Sequence, residues 1–102
     1  MSFPKPVHIG RFPAIRAGKT DDYGIDYTND LATGETLSSV TYVVTDSAGA
    51  TVAGVVTAST IASPIGHFRF TAPATAGAYL VTATPLFSDG RELVRTADLW
   101  VV

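Results

Sequence analysis

An all-β fold, a single sandwich of about seven short strands behind an extended N-terminal arm, is what this 102-residue sequence predicts, and three observations predict it. From Asp21 onward apolar and polar residues alternate with a period of two, the spacing of a pleated strand with one face in a core. Turn residues interrupt that alternation at intervals of about 8–12 residues, the rhythm of an antiparallel sandwich. Charge divides the chain: residues 1–20 hold Lys5, Arg11, Arg16 and Lys19 and no acid, whereas residues 21–102 hold all nine carboxylates and three basic side chains. The net charge of −2 thus joins a segment at +4 to a body at −6. Pro4, Pro6 and Pro13 remove backbone donors from the basic segment, so the organisation expected is an arm over 1–20 and a sandwich over 21–102.

The strands follow in order. Tyr23, Ile25 and Tyr27 alternate with Asp22, Gly24 and Asp26 and make the first. Thr33-Gly34 turns the chain into Val40–Thr45, whose β-branched residues favour extended structure. Asp46-Ser47-Ala48-Gly49 has an acceptor side chain and a closing glycine, as a turn requires, and Thr51–Thr57 resumes the strand pattern, with Gly54 as a candidate bulge. Ser59–Pro64 reads as a loop. Gly66–Ala72 places Phe68, Phe70 and Ala72 on one face and His67 and Arg69 on the other. Ala78–Thr84 follows, and Asp89-Gly90 is the strongest hairpin signal in the chain. In Glu92–Val102 the odd positions Leu93, Ala97, Leu99 and Val101 face inward, which sends Trp100 outward.

Candidate chemistry is sparse. There are no cysteines, so neither disulfides nor thiolate metal sites are available. No apolar run approaches the roughly 20 residues of a membrane span, and prolines stand where a signal peptide would be apolar. No Gly-x-Ser-x-Gly elbow accompanies any serine, and His67 sits on the solvent face of its strand, so no catalytic residue is assigned and no cofactor is expected. His8 reads as a pH-sensitive partner contact. Asp22, Asp26 and Asp30 are four residues apart, about 13 Å between neighbours in a strand, too far to share calcium; solvated carboxylates that guard a sheet edge are the better reading. Four bases spread over twenty residues, without aromatic side chains interleaved on a strand, do not make a nucleic-acid surface.

Attachment is the function that remains. Phe3, Ile9, Phe12 and Ile15 are apolar anchors placed between Lys5, Arg11, Arg16 and Lys19, a pattern suited to a segment laid along a partner. Asp22, Asp26, Asp30, His67, Arg69 and Trp100 form the expected interface on the body, and the acids following the arm are a candidate dock for the arm of a second copy in a homo-oligomer. The alternative is a receptor- or glycan-binding module in which Trp100 and the tyrosines Tyr23, Tyr27, Tyr42 and Tyr79 form a platform.

Two stretches carry a family resemblance: Asp22–Tyr27 running into Leu31–Leu37, and Gly77–Thr82 followed by Gly90-Arg91 and Arg95-Thr96. Over residues 22–102 they make the chain similar to the small immunoglobulin-like virion proteins of tailed bacteriophages. The resemblance implies a non-enzymatic virion component, a fibre–tail adaptor first and a capsid decoration protein second, with portal, tail, fibre or capsid proteins as partners. Tyr27 and Tyr42 stand where such proteins often have Trp, and the arm has no part in the likeness.

Overall fold

A computed structural model describes residues 6–102, with side chains described from Gly10 onward. Its elements are β1 (Pro6–Arg11), β2 (Thr20–Asp26), a short 3-10 turn (Thr28–Asp30), β3 (Leu37–Thr45), β4 (Val56–Ala62), β5 (Ile65–Thr71), β6 (Gly77–Phe87) and β7 (Val94–Val101). They form one sandwich of seven strands, with order β1-β7-β6-β3 in one sheet and β2-β5-β4 in the other. All pairings are antiparallel except β1 on β7, which is parallel.

Period-two alternation puts the inward residues where the sequence predicts them. Tyr23, Ile25, Phe68 and Phe70 from one sheet meet Val81, Ala83, Ala97, Leu99 and Val101 from the other, all buried. The densest packing is aromatic. The Tyr42 and Phe68 rings are 4.6 Å apart and Tyr23 and Phe68 5.7 Å, within the range in which tilted rings attract. Asp46 accepts hydrogen bonds from the amides of Ala48 and Ala50, closing the turn after β3 as its side chain suggests. The Asp89-Gly90 turn joins Phe87 to Arg91, with Gly90 at φ +87°.

Three expectations are corrected. Residues 59–64 do not form a loop, because β4 continues to Ala62 and pairs with β5 through Ala62 opposite Ile65. Thr51–Thr57 is not one strand: only Thr51 bridges to Thr45, and Gly54, at φ +76°, serves a turn rather than a bulge. The third correction concerns the arm. Phe12 and Ile15, expected as anchors for a partner, are buried in the chain's own core. Phe12 packs 5.1 Å from Tyr23 and 5.5 Å from Phe68, and Ile15 exchanges backbone hydrogen bonds with Trp100 and Val102. An intramolecular cleft within reach of the chain takes up such apolar side chains without any loss of translational freedom.

Candidate partner-binding surface

Residues 12–19 cross from one sheet to the other and close one side of the sandwich. The amides of Phe12, Ile15 and Ala17 bond to the carbonyls of Asp98, Trp100 and Val102, and Gly18 then bonds to Ala72 across on the second sheet. Tyr23 donates its hydroxyl to the Pro13 carbonyl at 3.0 Å, which pins the middle of the crossing. Arg11, Arg16 and Lys19 stay exposed along it. Phe3 and Lys5 lie outside the described residues, as do the side chains of His8 and Ile9.

Arg11 of the expected arm and Trp100 of the expected body interface are brought together by the fold. The Arg11 guanidinium lies 5.7 Å from the centroid of the Trp100 ring, which is 41% exposed at its outward position on β7. Beside them, where β1 and β2 diverge, Arg11, Phe12, Ile25 and Asp26 help to line a cleft of about 290 Å³. The other aromatics of the expected platform do not join Trp100: Tyr23, Tyr27 and Tyr79 are buried and Tyr42 is half-buried.

The acids do not act as one group. Asp22 faces Arg69 across β2 and β5, Nε to Oδ1 2.9 Å, and this hydrogen bond holds the Asp22 carboxyl below its usual range. His67 stands beside them with its ring against Gly24, where Nδ1 would be 3.1 Å from any added Cβ. Asp26 accepts from the Thr28 hydroxyl at 2.5 Å and the Thr28 amide at 2.9 Å, which lowers its pKa and starts the 3-10 turn. Asp30 turns inward to an ion pair with Arg95. Among the described residues no three His or acidic side chains converge as metal ligands would.

That last pair belongs to a clamp that sequence reasoning missed. Arg91 bonds to both Glu35 oxygens and to the Asp30 carbonyl, while its guanidinium covers the Phe87 ring at 4.6 Å. Arg95, only 8% exposed, binds Asp30. Together they fasten the 27–36 connection to the start of β7. Hydrogen bonds from Arg91 and then from the Ala32 amide hold the Glu35 carboxyl at about 2, against an ordinary 4.5. One signal was available: Arg95 occupies an odd, inward position between Leu93 and Ala97, and an inward arginine needs a carboxylate.

Residues 16–100 match the sequence family described as Gp77, podophage GP4 fiber-tail adaptor protein gp77. No curated protein matches the chain.

Proposed function

The chain belongs to the podophage GP4 fiber-tail adaptor protein gp77 family, and we propose that it works as a non-enzymatic, immunoglobulin-like connector between tail and fibre, docked through its N-terminal edge. Its place is in the virion and its role there is structural. Two features support the immunoglobulin-like reading. The order β2-β5-β4 against β3-β6-β7, with β1 added parallel to β7, follows the strand sequence of that sandwich, and the Tyr79 hydroxyl donates to the Thr75 carbonyl at 2.7 Å at the start of β6, as a tyrosine corner does. The family favours the tail over the capsid shell as the place of attachment.

One observation carries the docking assignment. The basic N-terminal edge is held on the sandwich by Phe12 and Ile15, yet it leaves Arg11, Arg16 and Lys19 exposed, with Arg11 at an open cleft before the residues that match the family and Arg16 and Lys19 within them. Rigid backbone with free guanidinium and ammonium groups is an edge built to meet an acidic partner surface. In sequence, Phe3, Lys5 and Ile9 continue the mixture of basic and apolar residues before it. The glycan reading is weaker, because Arg11 covers one face of the Trp100 ring on which a sugar would stack.

Removing residues 1–5 and reversing charge at Arg11→Glu and Lys19→Glu is expected to leave a folded chain, with an unchanged thermal midpoint, that fails to enter particles or to carry fibres. Normal incorporation of this folded variant would defeat the docking assignment.

A further inference from the structure

The two sheets expose four edge strands, and three are blunted. β1 carries Pro6, Arg11 and a register shift; β2 carries Asp21, Asp22 and Asp26; β3 is capped at its end by its own chain, where Val52 donates to the Val44 carbonyl and Thr51 bridges Thr45. Charge, proline and self-covering are the usual protections of an edge. β4 has no charge, proline or covering segment, and its one register shift lies at its start, between Val56 and Ala58. Its sequence is Val-Thr-Ala-Ser-Thr-Ile-Ala, and from Thr36 to Phe68 the only charged side chain is Asp46.

β4 also differs in what it buries. Each of β2, β3, β5, β6 and β7 puts at least two side chains into the core, whereas no side chain of β4 is buried and Ile61 is 38% exposed. Only Val56, half-buried, packs against the core, and the outer row of backbone groups awaits a partner.

We propose that this edge is the contact between two copies of the chain, pairing β4 antiparallel with β4 about a two-fold axis at Ser59. The strand matches itself in that register along its regular part, Ala58 opposing Thr60, Ser59 its own copy and Ile61 coming up against Thr57, where the shift between Val56 and Ala58 ends the match. No pair brings charge against charge or bulk against bulk. The charged residues of the neighbouring strand do not interfere, because two β5 strands would stand three strand spacings apart, about 14 Å, and each Arg69 is already neutralised by its own Asp22. A charged peptide would find no counter-charge on β4, while an identical uncharged edge pairs the open backbone groups of its regular part, residues 58–62. The sheet then becomes six strands wide, leaving the basic edge of each copy at the outside. This inference rests on the edge alone and not on the adaptor assignment.

The absence of cysteine makes the register directly testable in the full chain. Opposed residues in an antiparallel pair have Cα atoms about 4.5–5.5 Å apart, within reach of a disulfide. Ser59→Cys should therefore oxidise to a covalent dimer. Thr57→Cys should not, since its copy lies four residues along, about 14 Å away. In sedimentation equilibrium the unmodified chain should be dimeric, and Ser59→Lys, which opposes two ammonium groups, should weaken the dimer at least about tenfold. A chain that stays monomeric at high concentration, or a Thr57→Cys variant that links as readily as Ser59→Cys, would overturn the proposal.

Discussion

The two sides of this sandwich are closed by different means. On the N-terminal side, residues 12–19 cross between the sheets, with Phe12 and Ile15 in the core, and Arg11, Arg16, Lys19, Asp22 and Asp26 distributed around them. On the opposite side β4 hangs from β5 by backbone pairing and carries neither a buried side chain nor a charge. The first side holds itself together and presents charge; the second is held by hydrogen bonds and the half-buried Val56 and presents backbone. An adaptor needs surfaces of different selectivity if different neighbours are to bind without competing, and the two sides differ in the charge such selectivity would use.

The comparison breaks most visibly at Phe12. Phe12→Ala removes a ring packed between Tyr23 and Phe68 and should cost about 3–5 kcal/mol in urea unfolding, whereas Ile61→Ala on β4 should change stability by less than about 0.5 kcal/mol. Equal losses from the two variants would mean that the N-terminal crossing is not part of the core, and that the sides do not differ as described.

The same contrast explains what could be read in the sequence. β2, β5, β6 and β7 were legible because each has one buried face, so Tyr23, Ile25, Phe68, Phe70, Leu99 and Val101 mark them by alternation. β4 was illegible because burial writes that pattern and β4 half-buries only Val56; Ser59, Thr60 and Ser63 read as a loop. The N-terminal segment was misread for the opposite reason. Its anchors were recognised, but the spacing of Phe12 and Ile15 does not say whether the groove they fill belongs to a partner or to the chain itself. The clamp was hidden because Asp30 and Glu35 are far in sequence from Arg91 and Arg95, and only the fold brings them together.

Acid sharpens the comparison through that clamp. Glu35 titrates at about 2 in the folded chain and near 4.5 when unfolded, so its contribution to stability is fully present above 4.5 and is lost as pH falls from there toward 2. Asp22 and Asp26, also held below their usual range, add losses of the same sign. Every one of these groups lies outside β4. Thermal unfolding followed from pH 6 to pH 2 should show a falling midpoint that Glu35→Gln makes shallower, while β4 substitutions such as Thr60→Val leave its slope unchanged. A slope indifferent to Glu35→Gln would remove the clamp from the account.

The smallest effect, and one of opposite sign, is expected where the two sides meet in the core. Tyr27 follows β2 and Tyr42 lies on β3, and both hydroxyls are buried without a hydrogen-bond partner among the described residues. The Tyr42 hydroxyl reaches to 3.2 Å from where a Cβ would stand on Gly66, with the Tyr27 ring 3.4 Å from the same point, so only glycine fits between them without displacement. Burial pushes the Tyr42 hydroxyl up to about 12, and Tyr27 is shifted in the same direction for the same reason. A buried hydroxyl without a partner has lost its hydration and gained nothing in return. Tyr42→Phe should therefore be neutral or stabilising by up to about 1 kcal/mol in urea unfolding, and it should also flatten the loss of stability as pH rises from 10 toward 12. A loss of about 1 kcal/mol or more would show that the hydroxyl is satisfied after all, by a buried water shared between β3 and the end of β2, and would make the junction of the two sides a polar link instead of an apolar one.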